Sequence, residues 1–443
     1  MKILLLLILT VASIHAQDTT LTKLDHFFNL LEENNVMMGD FSVFKDGKEV
    51  YQKTIGYVDI DAGIKADKNT KYRIGSITKT FTATIIMQLV ENGKLKIDTP
   101  LSSYFSEVPN ADKISIENML RHQSGIFNIT DESDSNKWVI KPQSRKAMLK
   151  RLMKHPSIFE AGTKTAYSNS NYILLSYIAE DITGETYSEN IKSRIVDPLN
   201  LERTEYGHDI KTSDNEAIPY IPVNGVWKPF PVISDMSVPM GAGAIVSTAT
   251  ELNEFYQALF SGKLVSDNSL KQMTDVSTGM GMGFGAGSFS NRNGFGHDGA
   301  IDAFQSFALH MPEENISIAI TTNATSLPLQ YILTSAISIY FGEEYEFPEF
   351  KPKKPFLELT SAELKQYAGT YSSPDFPLKI TIDHNKNKLT AQASGQSAFP
   401  LEAIAKYTFK SFDEMITLTF NIHEKTLLLQ QLGFPEHLLT MEE

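Results

Sequence analysis

A chain of 443 residues that is 42% hydrophobic holds enough apolar material for one large or two ordinary domains, and 21% charged with 10% aromatic residues is globular rather than disordered composition. The formal net charge of −13 repels a phosphate backbone and excludes a broad nucleic-acid partner. The absence of cysteine excludes disulfides, thiolate metal sites and a cysteine nucleophile.

The chain opens with Lys2, a mostly apolar run from Ile3 to Ile14, and then His15, Ala16 and Gln17. A basic start, a short apolar stretch and a small residue before a polar segment form the layout of a secretory signal peptide, here residues 1–16. The run is shorter than the roughly 20 residues a membrane-spanning helix needs. The expectation is an exported protein, periplasmic or secreted, with no stable membrane insertion after signal cleavage.

Residues 23–33 space Leu24, Phe27, Phe28 and Leu31 as one helix face. Two strand-like runs follow, Asp40 to Lys45 and Glu49 to Tyr57, with Asp46-Gly47 as the hairpin turn between them. From Ser76 to Asn92 the period is helical and Gly93 stops it. Residues from about 100 to 230 read as helix and loop, with one helix from Tyr172 to Ile182. Another runs from Ala249 to Phe260. Strands return from Met280 to Asn323, where Phe304 to Met311 and Ile316 to Thr322 flank a turn at Pro312-Glu313-Glu314-Asn315, and a helix from Leu329 to Phe341 follows. Strands from both ends of this region therefore bracket a helical middle, which predicts an α+β fold with a large helical insertion.

Composition changes at residues 346–356, a proline- and charge-rich linker. Beyond it, short alternating runs (Leu378 to Ile382, Lys388 to Ala391, Met415 to Phe420, Leu427 to Leu432) predict a small β-barrel or sandwich over 357–443. The expected organisation is a signal peptide at 1–16, a first domain at 17–345, the linker, and a β-rich second domain.

Three groups of residues carry chemistry. In Ser76-Ile77-Thr78-Lys79, a helix start puts Ser76 and Lys79 on one face, so the amine can take the hydroxyl proton that makes serine a poor nucleophile. Tyr167-Ser168-Asn169 offers a phenol that cationic neighbours could turn into a proton shuttle, and an amide with both a donor and an acceptor. His297-Asp298-Gly299 offers positive charge or a donor, beside a glycine that admits close backbone approach. Each has a bland counterpart: a helix-capping serine with a surface lysine, a turn with a buried tyrosine, a surface histidine. A second Ser-x-x-Lys, Ser42 to Lys45, lies in a predicted strand where the two side chains face opposite sides. Ser213-Asp214-Asn215 and Ser266-Asp267-Asn268 read as turns.

Taken together, the three groups occur in the order Ser-x-x-Lys, Tyr-x-Asn, His-x-Gly, separated by 91 and then 130 residues. Over about residues 20 to 343 the chain resembles the penicillin-recognising serine hydrolases, nearest the class C β-lactamase, D-peptidase and esterase branch. The flanks Arg73-Ile74-Gly75, Met119-Leu120-Arg121-His122-Gln123-Ser124-Gly125-Ile126 and Gly241 to Thr250 extend the resemblance. It implies an antiparallel sheet beside a large helical subdomain, followed by a lipocalin-like barrel that Tyr367-Ala368-Gly369-Thr370-Tyr371 opens. It also implies Ser76 as acylated nucleophile, Lys79 and Tyr167 as the groups that exchange its proton, and Asn169 and His297 as substrate-holding groups. The amides of Ser76 and Ala300 would form the oxyanion hole, and Gly299 would lie against the substrate.

One departure is His-Asp-Gly where β-lactamases carry Lys-Thr-Gly. Asp298 adds negative charge at the site mouth, which disfavours an anionic substrate. The implied function is hydrolysis of an ester or a D-residue-type amide or peptide, without cofactor or metal. The partner is a small-molecule or peptide substrate, and oligomeric state has no signature in the sequence. A class C-type β-lactamase and a non-catalytic protein that binds peptides or peptidoglycan fragments remain the alternatives.

Overall fold

The computed structural model describes residues 20–443, apart from 224, 290, 346, 349, 351–356, 386–387, 397, 412–415, 432–434 and 443. The signal-peptide reading lies outside the described residues, as does most of the linker reading. Two compact units are present, one of residues up to 344 apart from 330–332, and one of those three with 345–443.

The first unit is built on a six-stranded antiparallel sheet in the order Gly285–Phe289, Arg292–Ile301, Phe304–Met311, Ile316–Thr325, Met37–Lys45, Lys48–Ile55. The early hairpin joins the late strands through Phe41 opposite Ile320, so the sheet is closed by segments from both ends of the unit, as the bracketing pattern predicts. The hairpin turn falls at Asp46 and Gly47, both at positive φ, the conformation that matches strand twist in a two-residue turn. The first helix, residues 20–33, buries Leu24, Phe27, Phe28 and Leu31 completely, and Phe28 packs 5.0 Å from Phe41.

The helical part centres on Thr78–Glu91, which is buried nearly all round instead of on one face. Its threonines are tolerated inside because each hydroxyl has a partner: Thr80 donates to Gly283 O, Thr82 to Gly241 O and Thr84 to Thr80 O. Phe81 stacks on Phe255 of the helix Ala249–Phe260 at 3.8 Å between ring centres. The second Ser-x-x-Lys sits in the strand Met37–Lys45, with Ser42 bonded to Glu49 and Lys45 exposed. Ser266 does not form a turn but caps the helix Asp267–Thr274 through the Ser269 N–H, because its extended backbone leaves the hydroxyl aimed at the first helical turn.

The second unit is a closed barrel of eight antiparallel strands between Gly369 and Met441, with Tyr371 opposite Met441 at the closure. Tyr367, Phe409 and Phe420 fill it. Among the described residues no helix is long and apolar enough to cross a membrane.

Asp40, fully buried on a central strand, accepts hydrogen bonds from Gln52 at 2.5 Å and Thr54 at 3.0 Å. Burial, with the charge of Glu49 behind it, pushes its carboxyl from near 3.8 up to about 7, against the lowering effect of those donors. A raised folded-state value means the folded protein holds a proton that the unfolded chain releases. The stabilisation is therefore complete below about pH 4 and is lost as pH rises to about 7. Asp40→Asn is expected to gain a few kcal/mol of unfolding free energy relative to wild type between pH 5 and pH 8. Denaturant unfolding at the two values checks it; parallel curves for the two proteins would contradict the expectation.

Candidate active site

Ser76 lies in the single turn Gly75–Ile77 that leads into the helix Thr78–Glu91, so its oxygen emerges at the helix N-terminus. Gly75 makes this entry possible: it sits at φ +50°, and a Cβ there would come within 2.8 Å of the Ala300 nitrogen. The close approach sets the Ser76 backbone beside Ala300 on the strand Arg292–Ile301.

One turn along, the fully buried Lys79 reaches three oxygens: Ser76 Oγ at 3.0 Å, Asn169 Oδ1 at 2.8 Å and the Ala242 carbonyl at 2.7 Å. Burial holds its amine well below the ordinary lysine range, although the Asp298 carboxylate pulls the other way. A neutral amine has two N–H bonds and one lone pair. Asn169 Oδ1 and Ala242 O can only accept, so they take the two hydrogens and leave the lone pair for the Ser76 hydroxyl.

On the other side the Tyr167 hydroxyl donates to Ser76 Oγ at 2.7 Å. Tyr167 keeps 38% of its surface open to the cleft, yet burial around its oxygen still raises it above the usual phenol range. It is therefore a neutral phenol that holds its proton. The Lys79 amine lies 4.8 Å from its ring centre, but an uncharged amine supplies no cationic field.

Asn169 starts the helix Asn169–Thr183, three residues earlier than the periodicity indicates. Its Oδ1 accepts from Lys79 and its Nδ2 donates to Thr130 at 3.1 Å, so it braces the amine while its amide still lines the cleft. His297 is buried and its Nδ1 faces the Asp298 carbonyl at 2.6 Å. Burial lowers it to about 4, so it offers no positive charge at neutral pH. Gly299 also has a different reason from the expected one. A Cβ there would fall 2.0 Å from the Ile74 carbonyl and 2.5 Å from Ser306 Oγ, so the close neighbour is the chain itself.

Ser76, Tyr167, Asn169, His297, Asp298 and Ala300 all line one cleft of about 590 Å³, with Lys79 beneath Ser76. Among the described residues no cluster of three or more His, Asp or Glu side chains is placed to hold a metal.

Two contributors had no assigned role in the sequence reading. His122, held at φ +56°, stacks on Tyr167 at 4.4 Å between ring centres and accepts the Ser168 N–H on Nδ1 at 3.0 Å. It is a neutral plate that fixes the phenol; the segment 119–126 marked the place but not the partner. Arg73 bonds Asp302 at 2.5 Å, the Ser234 carbonyl at 2.9 Å and the His208 carbonyl at 2.9 Å. It ties the segment before Ser76 to the turn after Ala300 across 229 residues, a separation no local pattern reveals.

The sequence model of the family described as Beta-lactamase matches residues 30–333. The penicillin-binding protein PbpX of Bacillus subtilis (strain 168) is 31% identical over 261 residues, 57% of this chain and 63% of that protein. A teichoic acid D-alanine hydrolase of Staphylococcus aureus (strain MRSA252) is 28% identical over 252 residues, 57% of this chain and 60% of its own length. Matches to these relatives thus cover less than two thirds of their lengths. Among solved structures, a D-stereospecific amidohydrolase from Streptomyces sp. superimposes with TM-score 0.60 at 25% identity, covering 70% of this chain and 94% of that one. The octameric penicillin-binding protein homologue from Pyrococcus abyssi gives TM-score 0.65 at 24% identity, covers 95% of this chain and 99% of the other, and shares the fold.

Proposed function

The chain belongs to the Beta-lactamase family, and from that membership and the site chemistry we propose that it is a serine hydrolase that cleaves an ester or a D-residue-type amide through an acyl-Ser76 intermediate. The observation that carries this reading is the two-sided hold on one oxygen: Lys79 at 3.0 Å as proton acceptor and Tyr167 at 2.7 Å as proton donor.

In acylation the Ser76 proton passes to the Lys79 lone pair while Oγ bonds the carbonyl carbon. The carbonyl oxygen takes the negative charge at the amides of Ser76 and Ala300. As the bond to the leaving group breaks, Tyr167 gives that group its proton and recovers one from the Lys79 ammonium, so both side chains end neutral. A water then gives its proton to the same pair, adds to the acyl carbon and releases the acid with Ser76 restored. Asn169 positions Lys79 throughout. The names of two relatives, a D-alanine hydrolase and a D-stereospecific amidohydrolase, support a D-configured acyl donor.

A β-lactamase must hold a carboxylate-bearing antibiotic. His297 is neutral and Asp298 puts a carboxylate with 83% of its side chain exposed beside the nucleophile, which opposes such a ligand. Export rests on the leader read at residues 1–16.

Intact mass after treatment with a fluorophosphonate, and separately with a penicillin, tests the assignment. One phosphonyl adduct is expected in wild type and none in Ser76→Ala. Slow or absent penicillin labelling is expected from the charge at the mouth. No adduct in folded wild-type protein would favour the binding-protein alternative.

A further inference from the structure

Ser76 stands between two cavities, not in one. Besides the cleft of about 590 Å³ there is a smaller pocket of about 140 Å³ on its other side, and Ser76, Asn169 and Ala300 border both. The walls that belong to the small pocket alone include Val139, Ile173, Val238, Pro239 and Ile301, and no charged side chain lines it. Its polar groups are already spent. Thr130 donates to Asn128 at 2.9 Å and accepts from Asn169 at 3.1 Å, while Ser234 donates to Asp302 at 2.7 Å. An apolar group entering there leaves no polar partner stranded.

We propose that this small pocket receives the acyl side chain and selects short apolar acyl groups, while the leaving group lies along the glycine-rich wall of the larger cleft. The assignment rests on the serine-hydrolase reading and deepens it. A carbonyl bound with its oxygen at the Ser76 and Ala300 amides points its two remaining substituents away from each other. The leaving group must reach the proton of Tyr167, and Tyr167 lines the large cleft but not the small pocket. The substituent that stays attached therefore turns to the small side. The open cleft also serves the group that must depart and the water that replaces it. At about 30 Å³ for each water-sized group, the pocket has room for roughly four or five heavy atoms.

The probe is a series of p-nitrophenyl esters from acetate to decanoate. Ser76 Oγ bonds the acyl carbon as p-nitrophenolate leaves, and water then frees the carboxylic acid and the serine. In wild type, kcat/KM is expected to rise about fourfold per methylene while the pocket fills, and to fall at least tenfold once the chain outgrows it. Val139 is half-buried, so Val139→Trp can fill the pocket without rebuilding the core. It is expected to lower the ratio of pentanoate to acetate turnover by at least tenfold relative to wild type. Ile301→Ala is expected to move the optimum one or two carbons longer. Fluorophosphonate labelling of Ser76 is read on every variant. Labelled protein whose chain-length profile is the same in wild type, Val139→Trp and Ile301→Ala would overturn the pocket assignment alone. Unlabelled wild type would overturn the hydrolase reading and the assignment with it.

Discussion

Lys79→Met is expected to lower kcat/KM for an activated ester by about 10³–10⁴-fold while leaving the fold in place. The size follows from the geometry. Among the described residues, Lys79 is the only group placed to accept from Ser76 Oγ, because Tyr167 is a neutral phenol that already donates to it. The fold survives because methionine fills much the same volume, and removing the amine strands only Asn169 Oδ1 and the Ala242 carbonyl. The pH profile separates a base from a mere prop. In wild type, activity should rise as Lys79 loses its proton, well below the ordinary lysine range. The Asp298 carboxylate stabilises the ammonium form, so Asp298→Asn should move that rising limb to lower pH. A limb unmoved in Asp298→Asn and still present in Lys79→Met would assign it to another group.

Ser76, Lys79 and Tyr167 were legible in the sequence through the order Ser-x-x-Lys, Tyr-x-Asn, His-x-Gly and its resemblance to the serine hydrolases; only the pairing of Ser76 with Lys79 follows from local helix spacing. The six-stranded sheet was legible for a similarly local reason, since Asp46-Gly47 and the turn ending at Asn315 each punctuate apolar runs. What stayed hidden depends on distant partners. Asn169, Ser170 and Asn171 look like turn residues, yet they form the first turn of a buried helix. Ser170 donates to Phe127 O and Asn171 accepts from Ser124, so tertiary bonds supply what a turn would have used locally. The neutrality of His297 is equally invisible, because histidine is charged or not according to burial, and burial comes from the neighbouring strands and helices. In the barrel, Leu378 to Ile382 shows its alternation. Thr408–Ser411 is only four residues long and Phe399–Ala405 carries Pro400, so neither stands out.

The second large effect falls on stability and starts from the least legible contact. Arg73 and Asp302 leave only 1% and 4% of their side chains exposed, and each has further partners in the loop at Ser234. Removing one member of such a pair leaves the other charge buried without its counter-ion. Arg73→Met is therefore expected to cost about 3–5 kcal/mol of unfolding free energy. Arg73→Met combined with Asp302→Asn should recover a large part of that loss, since the asparagine carries no charge, and its amide can accept the Ser234 N–H on oxygen while its NH2 donates to Ser234 Oγ. A full double-mutant cycle by denaturant unfolding measures the coupling, and additive losses would show that the two residues act separately. The same brace bears on catalysis, because it joins the segment before Ser76 to the turn that follows Ala300. If the amides of these two residues hold the developing oxyanion, loosening the brace should lower kcat more than it raises KM. An equal rise in KM with kcat unchanged would place the damage in substrate binding instead.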